Sequence, residues 1–251
     1  MTAPLVLAVH GTRQQRGQQA AHDLARRVQQ AGTVPVRLAF ADVCAPSVGD
    51  VAARLHETAS GAGRDATSAP ESGVVVVPAF LAAGYHVRVD IPAQLAEAVP
   101  DPAWATVTEP IGADERLLDA LEQRVRRAQW QPGDGVVLAA AGTSDPRAQR
   151  EVQGAADRLA DRLGVRVVVG YVATSGPTVP EVTERLRAAG HPRVIVAAWL
   201  LAPGLFHDRL AHSGADVVTD PLCTDDGVVS AVLARYRDHA RRLRMSLPAG
   251  A

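Results

Sequence analysis

The second half of this chain repeats the first half. Three pairs of segments match: residues 5–12 with 136–143, 46–55 with 177–186, and 107–111 with 218–222. The first two pairs share an offset of 131 residues, and the third has an offset of 111 because intervening loops are shorter. Such an internal duplication predicts two homologous domains, at residues 1–130 and 131–251. Because domain interfaces are preferred places for small-molecule sites, we expect a cleft where the two domains face each other.

Within the first copy, apolar runs alternate with stretches that have helical spacing. Residues 5–9, 35–40 and 74–78 are predicted strands, and a shorter strand is predicted at 105–107. Helices are predicted at residues 18–30, from Pro46-Ser47 through Leu55, at 91–98 and at 114–128, whereas residues 60–73, rich in Gly, Ser, Ala and Pro, predict a flexible loop. This alternation predicts an α/β fold in which a parallel sheet is covered by helices on both faces.

The composition excludes several classes of function. A formal net charge of −1 gives no basic footprint for nucleic acid. All 26 basic residues are arginine, so a Schiff-base lysine and a Walker-type phosphate loop are both excluded. The two cysteines, Cys44 and Cys223, cannot form a four-cysteine metal site, and we expect them to be small buried side chains. No signal-like segment or membrane-spanning apolar run is present, so we expect a cytoplasmic protein. We also expect no organic cofactor.

Polar side chains follow three successive predicted strands of the first copy. His10 ends the opening strand, Asp42 follows the second, and His86 lies in the segment after the third. Since ligands bind at the carboxyl ends of parallel strands, we expect these side chains to face a ligand. Two imidazoles and a carboxylate can hold a divalent first-row metal with coordination positions left open, which favours chemistry or transfer over a structural site.

The duplication provides an internal control for the two histidines. His10 aligns with Ala141, so this position of the fold does not require histidine. His86 aligns with Phe206 when no gap is placed, or with His207 after a slip of one residue. The comparison therefore favours a functional role for His10.

At these residues the chain resembles the sirohydrochlorin chelatase family, the class II chelatases that insert a divalent metal into a tetrapyrrole. The first strand ends in His10-Gly11-Thr12, where the family commonly has His-Gly-Ser, and residues 39–42 read Ala-Phe-Ala-Asp. The most specific match is residues 78–92, with the sequence PAFLAAGYHVRVDIP. The resemblance spans the whole chain because the family includes long forms made of two fused halves. It implies two flavodoxin-like α/β domains with the active site in the cleft between them.

The resemblance also implies roles for individual residues. His10 and His86 would be the catalytic pair that contacts the metal, and Asp42 stands where many relatives have glutamate. The second half, which has Ala141 in place of a histidine, would form the opposite wall of the cleft. A carboxylate-rich macrocycle needs donors at the rim. The candidate substrate-binding residues are Gly11, Thr12, Arg13, Gly84, Arg88, His207 and Arg209.

The function implied is insertion of Fe²⁺, Co²⁺ or Ni²⁺ into sirohydrochlorin for siroheme or cobalamin synthesis. A neutral imidazole suits this chemistry because it is both a ligand for such metals and a base near physiological pH. Both halves of the cleft lie on one chain, so a monomer is sufficient. Two alternatives stay open: a carrier of metal or tetrapyrrole without turnover, and a sensor of sugars or anions built on a duplicated fold, which the two histidines disfavour.

Overall fold

The computed structural model describes residues 3–61 and 73–246. Most of the loop predicted at residues 60–73 therefore lies outside the described residues. Within the two described stretches, none of the helices combines the length and the apolar character needed to cross a lipid bilayer.

The chain forms two parallel sheets of four strands each. The strands of the first sheet are β1 (Leu5–Val9), β2 (Val36–Phe40), β3 (Val74–Pro78) and β4 (Ala105–Val107). Those of the second are β5 (Gly135–Ala140), β6 (Val167–Tyr171), β7 (Val194–Trp199) and β8 (Val217–Val218). The strand orders are β2-β1-β3-β4 and β6-β5-β7-β8, the same in both halves. Each is the first four strands of the flavodoxin-like order, so the predicted α/β fold with two homologous parallel sheets is confirmed.

Eight α-helices surround the sheets in the described part of the chain. The first four are α1 (Gln15–Ala31), α2 (Val48–Gly61), α3 (Ile91–Ala98) and α4 (Glu115–Arg127). The second four are α5 (Pro146–Leu163), α6 (Val179–Ala188), α7 (Leu205–Leu210) and α8 (Asp226–Ser246). A π-helical turn, His86–Asp90, precedes α3. Its i to i+5 hydrogen bond has no signature in the apolar spacing, and the sequence did not predict it.

Alternate residues of each strand serve two different cores. In β1, Leu5 and Leu7 lie in a core cluster shared by both halves, whereas Val6 and Ala8 pack against α2 and α3. This is the period of two that a strand imposes on its side chains. The second sheet behaves likewise, because Leu138 joins the shared cluster and its neighbours in β5 pack with α6 on the outer face.

The last helix of each half packs on the sheet of the other half. Helix α4 contacts β7 and α5, and helix α8 contacts β3, α1 and α4. Polar contacts fix both exchanges: the Tyr236 hydroxyl of α8 donates to the Ala3 carbonyl, and Arg158 of α5 pairs with Glu115 of α4. Each sheet lies within one of the predicted segments, 1–130 and 131–251, but the core does not divide between them. The exchanged helices pack both sheets into one shared core.

Candidate active site

The first strand presents His10 at the edge of its sheet. Residues Leu5–Val9 are buried, and His10, the next residue, is exposed. The chain then turns sharply at Gly11, where φ is +91° and a Cβ would lie 2.1 Å from the Asp42 carbonyl oxygen. Only glycine fits this turn. His10 Nδ1 lies 2.9 Å from the Gly11 carbonyl oxygen, so the turn also orients the ring.

Two side chains stabilise the turn by donating hydrogen bonds to one backbone carbonyl. The Thr12 carbonyl oxygen accepts hydrogen bonds from Gln18 Nε2 at 2.8 Å and from Cys44 Sγ at 3.1 Å. The second half contains the same arrangement, in which Gln149 Nε2 and the Ser175 hydroxyl both donate to the Thr143 carbonyl oxygen. The support is therefore a feature of the repeated fold rather than of the histidine.

The π-helical turn brings His86 onto His10. The Ile91 N–H donates to the His86 carbonyl, which closes the wide turn ahead of α3. The imidazole rings of His10 and His86 have centroids 4.5 Å apart and lie nearly perpendicular, at 81°. Phe80 lies near both, with its ring centroid 6.3 Å from that of His10 and 6.4 Å from that of His86. The two histidines that the sequence singled out thus meet at one edge of one sheet.

Asp90 holds the ring of His86. His86 Nδ1 lies 2.6 Å from Asp90 Oδ2, and each side chain is 28% exposed. Although Asp90 stands at the N-cap position of α3, its side chain makes no capping hydrogen bond. Each histidine therefore has a hydrogen-bond acceptor at Nδ1, a backbone carbonyl for His10 and a carboxylate for His86. This pattern favours the Nδ1–H tautomer, which leaves Nε2 free as ligand or base.

Asp42 is less closely tied to the pair. Its side chain is exposed, and Oδ1 accepts a hydrogen bond from the Val43 N–H at 2.7 Å. Across residues 3–61 and 73–246, no group of three or more His, Cys, Asp or Glu side chains is arranged to hold a metal ion. His10, His86 and Asp42 therefore do not form a ready three-ligand site in this structure, and a ligand role for Asp42 stays a prediction.

Exposed apolar side chains cluster at the same edges of the two sheets. Those of the described residues that are large and exposed are Val43, Tyr85, Val89, Leu205 and Phe206. All of them follow the carboxyl end of a strand, namely β2, β3 or β7. We refer to these five residues as the apolar rim. Exposed apolar surface concentrated at one edge is typical of a binding site.

Comparison with known proteins identifies the family. The family model described as CbiX matches residues 4–128 and again residues 135–239. The chain belongs to the CbiX family. Its two halves are the two copies of this domain.

Curated relatives of this CbiX-family chain are chelatases. The sirohydrochlorin ferrochelatase of Priestia megaterium is 24% identical over 217 residues, which cover 84% of this chain and 77% of that protein. The sirohydrochlorin cobaltochelatase of Sulfolobus acidocaldarius is 31% identical over 124 residues, covering 49% of this chain and 90% of that protein. Among solved structures, SirB from Bacillus subtilis with Fe³⁺ superposes with a TM-score of 0.81 at 22% identity and covers 98% of each chain, which shows a common fold.

The backbone decides which residue of the second CbiX copy corresponds to His86. The Arg88 N–H donates to the Gly84 carbonyl, and the Asp208 N–H donates to the Gly204 carbonyl, the same helical bond at the same place. The ungapped alignment is therefore right, and Phe206 corresponds to His86. His207 instead faces its own half, because its Nε2 lies 3.0 Å from the Thr219 carbonyl oxygen of the segment after β8.

Two ion-paired bridges join the halves, and neither was predicted from the sequence. In the first, Arg16 Nη2 lies 2.6 Å from Asp208 Oδ2. Mainly because Arg16 donates a hydrogen bond to it, the pKa of the Asp208 carboxyl is lower than its ordinary value. The first bridge therefore joins the first turn of α1 to helix α7 of the other half.

The second bridge is centred on Arg88. Its Nε donates to the Ala83 carbonyl at 2.7 Å, and its guanidinium lies 3.3 Å from Glu151 and 3.4 Å from Asp145 in the second half. Glu151 also accepts a hydrogen bond from the Ala83 N–H at 2.7 Å. Arg88 was predicted to bind substrate, but in the structure its guanidinium binds carboxylates of the second half.

The other predicted substrate contacts follow the carboxyl ends of strands β1, β3 and β7. Arg13 is exposed in the loop after β1, and Arg209 is exposed on α7 with its guanidinium 5.9 Å from the centroid of the Phe206 ring. The Cβ of a residue at Gly84 would have only the Thr143 hydroxyl nearby, at 3.8 Å, so the first half approaches the second there. These placements keep Arg13 and Arg209 as candidates for binding anionic groups.

Proposed function

We propose that this chain is a sirohydrochlorin chelatase that inserts Fe²⁺ or Co²⁺ into the macrocycle. The observation that carries the proposal is the His10–His86 pair, whose ring centroids are 4.5 Å apart at the edge of a sheet between two halves of a CbiX-family chain. The curated relatives, a sirohydrochlorin ferrochelatase and a sirohydrochlorin cobaltochelatase, carry out the same class of reaction.

The chemistry asks two things of the protein. The metal must exchange bound water for the macrocycle nitrogens, and the two pyrrole N–H groups must lose their protons as the metal enters. An imidazole Nε2 lone pair serves either task, because imidazole is a good ligand for first-row metals and a base near neutral pH. With only two histidines in contact, the metal keeps open positions, which suits delivery better than storage. The metal is a substrate here.

The surroundings of the pair suit a large, flat and anionic partner. The apolar rim offers surface for the faces of a macrocycle, with Tyr85 and Val89 in the first half and Leu205 and Phe206 in the second. The exposed guanidinium groups of Arg13 and Arg209 are the proposed partners of its carboxylates. The N–H groups of Gly11 and Thr12 are further proposed donors at this edge, whereas the Gly84 N–H already donates to the Ala82 carbonyl at 3.0 Å, so Gly84 is proposed only as a point of close approach.

Two predicted substrate contacts are already engaged with other parts of the protein. Arg88 and His207 are not carried forward as substrate contacts because both already bind protein groups. Asp42 is retained as a proposed proton acceptor or metal ligand, since its exposed carboxylate follows β2 at the same edge. Because one chain supplies both walls, we propose that a monomer is sufficient.

The test is anaerobic turnover followed by the absorbance spectrum of sirohydrochlorin, with Fe²⁺ or Co²⁺ supplied. Wild type is expected to metallate many equivalents, whereas His10→Ala and His86→Ala are expected to lose about 10²-fold or more in rate. His212→Ala is the matched control, because His212 is exposed and lies after α7, in the half that lacks the pair. Wild-type binding of the macrocycle without turnover above the spontaneous rate would overturn the enzyme proposal in favour of a carrier.

A further inference from the structure

We infer that Asp90 is a positioning residue that holds His86 in the tautomer needed to bind metal. The inference deepens the proposed function. It rests on that function only in assuming that the bound metal is inserted into the macrocycle. The hydrogen bond itself is the direct observation: Asp90 Oδ2 lies 2.6 Å from His86 Nδ1. Because the carboxylate accepts a hydrogen bond from Nδ1–H, the proton stays on Nδ1 and the lone pair of His86 is placed on Nε2.

The local backbone brings the two side chains together. His86 and Asp90 are the first and last residues of the π-helical turn, so they are four positions apart on one face of a helical segment. Asp90 gives no capping bond to α3 in exchange, although it occupies the N-cap position. The carboxylate is therefore directed to the histidine rather than to the helix that follows.

The second half shows that the fold does not require this carboxylate. Phe206 corresponds to His86, and the segment there is an ordinary α-helix, α7. Asp90 corresponds to Leu210, or to Arg209 if the additional residue of the π turn is left out of the count. Neither side chain can accept a hydrogen bond from a histidine N–H. The histidine and aspartate that α7 does contain, His207 and Asp208, stand at other positions and bind the Thr219 carbonyl and Arg16 instead. The π turn, with an imidazole and a carboxylate paired at its two ends, thus occurs in the first half and not in α7.

His10 provides a comparison within the site. Its Nδ1 is held by a backbone carbonyl, that of Gly11, which no side-chain substitution removes. His86 has only the Asp90 side chain in the corresponding place. Loss of the carboxylate should therefore change the ring of His86 and leave the ring of His10 as it is.

The experiment reads the tautomer directly, in protein free of metal and macrocycle. Ring ¹⁵N NMR is recorded about two pH units above the ordinary histidine pKa, with the His86 signals assigned through His86→Gln. Wild type is expected to show Nδ1–H at both His10 and His86. Asp90→Ala is expected to lose this preference at His86 alone, and Asp90→Asn to keep part of it because its amide oxygen can still accept.

Binding of Co²⁺, measured by calorimetry on the same proteins, is the second readout. Asp90→Ala is expected to weaken binding by about 10- to 100-fold, with Asp90→Asn between it and wild type. Asp114→Asn is the matched control, because the Asp114 side chain caps α4 by accepting from the Arg116 N–H and does not touch either histidine.

The outcomes separate this inference from the proposed function. Unchanged His86 ring signals or unchanged Co²⁺ binding in Asp90→Ala would overturn the role of Asp90, even if the wild type is an active chelatase. If Asp90→Ala does not fold, the same unchanged values in folded Asp90→Asn would overturn it. A wild type that binds Co²⁺ but never metallates sirohydrochlorin would overturn the function and leave the tautomer result standing.

Discussion

The two halves of this molecule have the same frame but different side chains at the edge where their sheets meet. Both halves turn after the first strand at a glycine with positive φ, Gly11 and Gly142. Both hold the carbonyl of the next threonine with a glutamine and a second donor. At the positions of His10 and His86, however, the second half has alanine and phenylalanine. The turns after the first strands are therefore a property of the fold, whereas the proposed chemistry depends on a few side chains of one half.

The largest expected effect comes from separating the halves. Residues 1–130 alone are expected to form no folded monomer, because α8 covers β3 and α1 from the other half and α4 would lose its contacts with β7 and α5. A dimer in which two copies exchange α4 would bury equivalent surface. Light scattering and thermal melts of the fragment at decreasing concentration test this. A monomer that melts cooperatively at the temperature of the whole chain would contradict the shared core.

The exchange of helices also shows where prediction from sequence stops. The amphipathic pattern of α4 indicates that one face is buried, but it carries no information about which sheet covers that face. Strands were more predictable, since β1, β3 and β4 have the predicted bounds and each is a short apolar run. The repeat then extended the prediction to the second sheet.

The candidate site was likewise predictable only in part. His10 and His86 follow strands, and parallel strands bring their carboxyl ends together, so their contact was foreseeable. No functional role was predicted for Asp90, although its spacing of four from His86 is a usable signal. The bridge from Arg16 to Asp208 spans 192 positions and leaves no local trace in the sequence.

The second largest effect is expected at the two turn glycines. Gly11→Ala and Gly142→Ala should each destabilise the protein by about 2 kcal/mol or more, because a Cβ would lie 2.1 Å and 1.7 Å from backbone carbonyl oxygens and φ is positive at both. Thermal and denaturant unfolding measure the cost. Chelatase activity then distinguishes the halves: per folded molecule, only Gly11→Ala should lose it. Equal loss of activity in Gly142→Ala would show that the second turn also serves the chemistry.

A smaller effect is expected from the two bridges between the halves. Arg88→Gln should cost about 1 to 2 kcal/mol, because Arg88 lies near three acceptors and its side chain is 37% exposed. Arg16→Gln should cost less, because that pair is well exposed, at 60% for the arginine and 42% for the aspartate, and solvent screens it. Denaturant unfolding of both variants measures the two losses in unfolding free energy. A greater cost at Arg16 would reverse the order expected from burial.

The first bridge should also have an acid limit. The pKa of Asp208 is lowered in the folded chain, so its contribution to stability is present above the ordinary value of 3.8 and is lost as the pH falls through the folded value. Wild type and Arg16→Gln should therefore differ in unfolding free energy at neutral pH and converge in acid. A difference that stays constant down to the acid limit would mean that the charge of Asp208 contributes nothing to the bridge.

The smallest expected effect concerns Cys44, and the second half already contains the control. Ser175 occupies the equivalent place and donates its hydroxyl to the Thr143 carbonyl, as the Cys44 thiol donates to the Thr12 carbonyl. Cys44→Ser should therefore change the unfolding free energy by less than about 0.5 kcal/mol, because a donor is kept. Cys44→Ala should cost about 1 kcal/mol, since the carbonyl loses one of its two donors. If Cys44→Ser were as costly as Cys44→Ala, the thiol would have a role beyond donating to the Thr12 carbonyl. The equivalence of Cys44 and Ser175 would then be contradicted.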